Sequence, residues 1–128
     1  MRNERPPEVL IVEDDGECRR GIVGFLEDCG FTIRESVSGL DALASSLANP
    51  PDVVVTDLRM PGMGGLDLLA ALHESLPRMP VIILSGTADR QLLARSLERG
   101  AAGYLSKPIN DLTKLEEMID DVVARVRP

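Results

Sequence analysis

The sequence predicts one α/β domain, doubly wound, with a five-stranded parallel sheet between two layers of helix. Two observations carry this. Short, continuous apolar runs recur down the chain, and such runs suit strands buried on both faces. Each run is followed by a stretch whose apolar residues keep helical spacing. Strand and helix thus alternate five times, the pattern of a parallel sheet covered by crossover helices.

The elements follow in order. Residues 1–7 are polar and proline-rich and read as a disordered lead-in, leaving residues 8–127 as the domain. Val9-Leu10-Ile11-Val12 is the first strand and stops at Glu13-Asp14-Asp15. From residue 18 to 28, Ile22, Phe25 and Leu26 mark a helix closed by Gly30. Residues 31–35 form a second strand, less apolar and therefore suited to a sheet edge. Ser38 can cap a helix over residues 39–47. Asn49-Pro50-Pro51 breaks the chain before Val53-Val54-Val55, a buried third strand that runs into Thr56-Asp57. A loop with one proline and three glycines spans residues 60–65, and Leu66, Leu69, Ala70 and Leu72 begin the third helix. Val81-Ile82-Ile83-Leu84 is the fourth strand and ends at Ser85-Gly86-Thr87. Residues 89–99 are helical and Gly100 terminates them. Gly103-Tyr104-Leu105 is a short fifth strand, and Asn110 or Asp111 caps a last helix carrying Leu112, Leu115, Met118, Ile119, Val122 and Val126.

Composition narrows the function. The chain has 128 residues, the size of one domain, and 44% of them are hydrophobic, enough for a sizeable core. Only Phe25, Phe31 and Tyr104 are aromatic, too few for a platform that stacks nucleic-acid bases. The net charge of −7 argues against direct DNA contact, which needs a basic patch. No stretch approaches the roughly 18 apolar residues of a membrane span. No charged start leads into an apolar run, so no secretory signal is expected. Cys18 and Cys29 have no metal-ligand spacing and are expected to pack as free thiols. A cytoplasmic location follows.

The chemistry collects at the strand ends. In an open parallel sheet, sites form beyond the carboxyl ends of the strands. There stand Glu13, Asp14 and Asp15 after the first strand, Asp57 at the third, Ser85 and Thr87 after the fourth, and Lys107-Pro108 after the fifth. Clustered carboxylates repel unless a cation intervenes. A hard dication with oxygen ligands answers this, and Mg²⁺ takes one or two carboxylates, water and a substrate phosphate. A carboxylate held there can act as a nucleophile and become an aspartyl phosphate. Lys107 can neutralise a phosphoryl oxygen, and a hydroxyl can donate to another.

These residues resemble those of response-regulator receiver domains, over about residues 9–126. The resemblance implies a flavodoxin-like three-layer sandwich with strand order 2-1-3-4-5. It makes Glu13 and Asp14 the acidic pair, with Asp14 a direct Mg²⁺ ligand and Glu13 acting mostly through water. Asp57 becomes the phosphoacceptor, within Thr-Asp-Leu-Arg-Met-Pro-Gly-Met-Gly-Gly-Leu. The Arg59 backbone carbonyl completes the protein's metal ligands. Ser85 becomes the phosphate-sensing hydroxyl, Tyr104 the switch aromatic, and Lys107 the phosphoryl-binding amine, with a cis bond to Pro108. The implied function is a switch, not an enzyme with external turnover. A histidine kinase or phosphotransfer protein supplies the phosphoryl group, and the surface of the fourth helix, fifth strand and fifth helix controls an output domain or partner. The family commonly dimerises through that face. The segment Lys-Pro-Ile-Asn-Asp-Leu-Thr-Lys-Leu-Glu-Glu-Met-Ile also resembles receivers of the adaptor that delivers the stationary-phase sigma factor for proteolysis, and of regulators with a PP2C-like phosphatase output.

Other readings fit less well. A haloacid-dehalogenase-type phosphatase shares the aspartyl phosphate, but its Asp-x-Asp pattern fails here because Arg59 holds the second position. A flavodoxin-like cofactor site would need a Gly-rich loop after the first strand. A pseudo-receiver would lack the complete residue set. Asp15 stands between a ligand role and a helix cap, and Thr87 between a phosphate-tuning role and a turn. His73, in the third helix, is expected to be exposed and without metal partners.

Overall fold

A computed structural model describes residues 5–86, 90–107 and 111–126. The order is β1 (Glu8–Val12), α1 (Gly16–Asp28), β2 (Thr32–Ser36), α2 (Gly39–Ala48), β3 (Val53–Asp57), α3 (Gly65–Ser75), β4 (Val81–Ser85), α4 (Arg90–Glu98), β5 (Gly103–Ser106) and α5 (Thr113–Val126). The five strands form one sheet in the order β2-β1-β3-β4-β5, and every pairing is parallel. The expected α/β architecture and strand order are therefore observed.

Alternation along the strands divides the core in two, because successive side chains leave opposite faces of a sheet. Val9, Ile11, Val53, Val55, Ile82 and Leu84 pack on one face against Ile22, Val23 and Leu26 of α1 and Leu115, Ile119 and Val122 of α5. Leu10, Val12, Val54, Val81 and Ile83 pack on the other, against Ala42 of α2 and Leu68, Leu69 and Leu72 of α3. Leu92 of α4 and Tyr104 of β5 join this second cluster at its margin. Both free cysteines, Cys18 and Cys29, pack half-buried against the first cluster.

Several boundaries move from the expected ones for local reasons. Helix α1 starts at Gly16 because the Asp15 carboxylate accepts from the Glu17 and Cys18 amides, which makes Asp15 an N-cap. Strand β2 starts one residue later than expected, since Phe31 turns into the core and is 8% exposed. It continues to Ser36, whose carbonyl accepts from the Glu13 amide at 3.2 Å. Ser38 caps α2 through the Asp41 amide, and the Asp111 carboxylate accepts from the Thr113 amide at the start of α5. His73 is half-buried rather than exposed, because its Nε2 lies 2.9 Å from the Met79 carbonyl oxygen. Within the expected lead-in, Arg5 pairs with Asp52 at 2.7 Å and the Pro7 carbonyl accepts from the Thr32 amide.

Candidate functional site

The strand order reverses between β1 and β3, so the connections after these strands diverge and leave a crevice at their carboxyl ends. Glu13 leaves β1 there, and Asp57 ends β3 beside it. Register places Asp57 opposite Leu84, one step before Ser85, and Ser85 opposite Ser106, one step before Lys107. The Lys107 amide donates to the Ser85 carbonyl, which ties the last strand's exit to the fourth. Sequence positions 13, 57, 85 and 107 are thereby gathered on one edge of the sheet.

The central contact is ionic. The Lys107 ammonium hydrogen-bonds the Glu13 carboxylate and stands 3.3 Å from Asp57 Oδ1. Glu13 is almost wholly buried, with a side chain 2% exposed, whereas Lys107 is 20% and Asp57 13% exposed. Burial alone would raise the Glu13 carboxyl, but the Lys107 hydrogen bond and the Asp15 amide at 3.2 Å outweigh it and hold Glu13 below its usual value. Asp57 moves the other way. Its burial and the Glu13 charge hold it above the usual carboxylate range, against the pull of Lys107. Burial works against the Lys107 charge, yet Glu13 and Asp57 together raise its pKa above that of a free lysine.

One carboxylate oxygen from each of Glu13, Asp14 and Asp57 lies within 4.8 Å of the others. Two oxygens on one Mg²⁺ at about 2.1 Å cannot be more than about 4.2 Å apart. The trio is thus within a small adjustment of sharing one ion. Lys107 pairs with two of these three carboxylates, and the clustered negative charge suits a dication in both charge and donor type. The Arg59 side chain is exposed on the loop after β3. An open cleft of about 480 Å³ lies beside Lys107, bounded by Asp15, Cys18, Gly86 and Leu112.

The loop after β3 approaches this site closely because of glycine. A β-carbon at Gly65 would sit 2.7 Å from the Asp57 carbonyl oxygen, and the Gly65 amide donates to the Leu58 carbonyl at 2.9 Å. Gly65→Ala should therefore push α3 off the end of β3 and cost about 1–3 kcal/mol. A lower guanidinium midpoint with an unchanged slope would show it; an unchanged midpoint would mean the backbone yields freely.

Of the expected site residues, Glu13, Asp14, Asp57 and Lys107 come together. Ser85 is buried, 1% exposed, at the end of β4. Tyr104 is half-buried at the margin of the second core cluster. Asp15 serves as a helix cap. Pro108 and its expected cis bond lie outside the described residues, as does Thr87. Two supporting side chains carry no sequence signal. Arg19 donates to the Glu13 carbonyl at 2.7 Å and pairs with Glu35 at 3.0 Å, which anchors the β1 exit. Burial, with the Glu13 charge nearby, keeps the Cys18 thiol up and poorly nucleophilic despite Lys107. Among the described residues no helix is long and apolar enough to cross a membrane.

Comparison with known proteins agrees with this geometry. A family model described as the response regulator receiver domain matches residues 9–120. The chain is similar to chemotaxis protein CheY-3 of Vibrio cholerae, 36% identical over 121 residues that cover 92% of each chain. It is also similar to the DNA-binding transcriptional regulator NtrC of Salmonella typhimurium, 35% identical over 118 residues. Those residues cover 92% of this chain but only 24% of that one. Among solved structures, the receiver domain of Francisella response regulator 1452 superposes with a TM-score of 0.89 at 30% identity, covering 94% of this chain and 99% of that one. The chain belongs to the response regulator receiver domain family, the phosphoacceptor modules of two-component signalling.

Proposed function

We propose that Asp57 is the phosphoacceptor of this receiver, and that residues 8–127 form the working unit. The observation that carries the reading is the Lys107 ammonium held between Glu13 and Asp57 at the mouth of the sheet. Glu13, Asp14, Asp57 and the Arg59 backbone carbonyl would hold Mg²⁺. Bound there, the ion would offset charge on the phosphoryl oxygens.

The donor is a phosphohistidine on a histidine kinase or phosphotransfer protein. A carboxylate oxygen of Asp57 forms the new P–O bond as the P–N bond breaks, and the imidazole leaves with its electron pair. The Lys107 ammonium is already positioned to shift from Asp57 to a phosphoryl oxygen, so little reorganisation is required. The Ser85 hydroxyl donates to another oxygen, and Tyr104 follows the loop it vacates. Phosphorylation then biases a two-state surface built from α4, β5 and α5. Water later hydrolyses the acyl phosphate and resets the domain. The chain catalyses its own transfer and reset and turns over no external substrate.

The output is an attached domain or a separate partner in the cytoplasm, with dimerisation through the α4–α5 face as one route. The segment from Lys107 to Ile119 keeps a sigma-factor adaptor or a PP2C-like phosphatase domain among the candidate outputs. Intact-mass spectrometry after incubation with phosphoramidate tests the reading. One phosphoryl group should be gained with Mg²⁺ and none with EDTA. No gain, together with no change in Tyr104 fluorescence on adding beryllofluoride, would overturn it.

A further inference from the structure

A second charged site, basic rather than acidic, lies on the far side of the loop that follows Asp57. Between α3 and α4 runs a cleft of about 320 Å³, lined by Arg59, Arg95 and Arg99 together with Leu66, Leu92 and Asp67. All three arginines are exposed, and none makes an ion pair with a described residue. What sets them apart is that they line one cleft together, on a chain in which acids outnumber bases 21 to 14. Four other arginines find partners, Arg5 with Asp52, Arg19 with Glu35, Arg34 with Glu8, and Arg125 with Asp121, whereas Arg20, Arg78 and Arg90 are exposed without an ion pair to a described residue but stand apart from this cleft.

Helix stability does not account for the cluster. Arg95 and Arg99 sit near the carboxyl end of α4, where the helix dipole favours a cation. They are also one turn apart, where like charges repel. Arg59 comes from a different element, the loop after β3, and gains nothing from that dipole. Three arginines lining one concavity suit a multiply charged anion, since guanidinium forks pair with phosphate oxygens two at a time. Leu66 and Leu92 supply an apolar wall continuous with the core, and the Asp67 carboxylate offers an acceptor.

We propose that this cleft binds a nucleoside diphosphate or a similar nucleotide. Its phosphates lie on Arg59, Arg95 and Arg99, its ring lies against Leu66 and Leu92, and an amino or hydroxyl group donates to Asp67. The volume is near the lower end for small-molecule sites, about 300 Å³, which suits a ligand left partly in solvent. The Arg95 and Arg99 side chains take no part in the chemistry proposed at Asp57.

Titration calorimetry with ADP in EDTA tests it, because chelation stops a nucleotide reaching the carboxylates through a metal. ADP should bind, and pyrophosphate more weakly for want of a ring. The Arg95→Ala/Arg99→Ala double variant, altered only at exposed positions, should bind ADP at least about tenfold more weakly. Its phosphoryl uptake from phosphoramidate should match the parent's, which separates this claim from the one at Asp57. No heat with ADP, equal affinity in the double variant, or pyrophosphate binding as tightly as ADP would overturn the nucleotide assignment. So would binding of hexaglutamate in place of ADP, which would mark the cleft as a protein contact.

Discussion

Asp57→Asn should abolish phosphoryl uptake and, in EDTA, raise the melting temperature. The amide cannot form the acyl phosphate, so the first effect is complete. The second follows from the electrostatics. Burial and the Glu13 charge hold Asp57 above the usual carboxylate range, so its ionised form destabilises the fold. Asparagine keeps the shape and removes that charge. Lys107 is not orphaned, because its hydrogen bond to Glu13 remains. The gain should be of order 1 kcal/mol, about 4 °C for a domain of this size. It should also depend on pH. As pH rises from the ordinary carboxylate range through the raised Asp57 value, the unfolded chain releases its proton before the folded one does. The parent's stability then falls relative to the variant's. Thermal melts across that window check the sign. A variant less stable than its parent at neutral pH would show that the Lys107–Asp57 attraction outweighs burial and repulsion.

Lys107→Met should slow phosphoryl uptake by about 10²–10³-fold, the usual cost of losing one preorganised charge partner of a transferring group. It should also unbalance the apo site. Glu13 is 2% exposed and would lose the cation that holds its carboxyl down. Burial and Asp57 would then push Glu13 upward, and breaking such a pair typically costs about 3 kcal/mol. The loss should be smaller at pH 5, where Glu13 can take up a proton, than at pH 8. Uptake rates by mass spectrometry and guanidinium midpoints at both pH values read the two effects separately. Uptake within about twofold of the parent would remove Lys107 from the transfer step.

The site was legible in the sequence because each chemical group follows an apolar run. A buried strand followed at once by Glu13-Asp14, Asp57, Ser85 or Lys107 leaves little choice about where those side chains meet in a parallel sheet. The strand order 2-1-3-4-5 followed from the family resemblance, and the sheet confirms it. What could not be read is what depends on pairing between distant residues. Glu13 and Lys107 are 94 positions apart, and although both fall at this edge of the sheet, the sequence does not say that Lys107 hydrogen-bonds Glu13. Arg19 lies one turn into α1, where its charge looks like ordinary solvent-facing polarity, yet it closes on the Glu13 carbonyl. His73 sits on a helix position that reads as exposed, and only the turn through Met79 brings a carbonyl to it. Gly65 reads as a loop glycine, although the approach of the Asp57 carbonyl explains it better. The arginine cleft is hidden for the same reason, since Arg59 and Arg95, 36 positions apart, line one cavity only in the folded chain.

The central claim is that the phosphoryl group resides on Asp57. Borohydride reduction after phosphoramidate treatment with Mg²⁺ tests it most directly, because it converts an aspartyl phosphate to homoserine, which peptide mass mapping can locate. Homoserine at position 57, absent when Mg²⁺ is withheld, is the predicted result. Reduction product at position 13 or 14, or at no position despite a phosphorylated intact mass, would contradict the account.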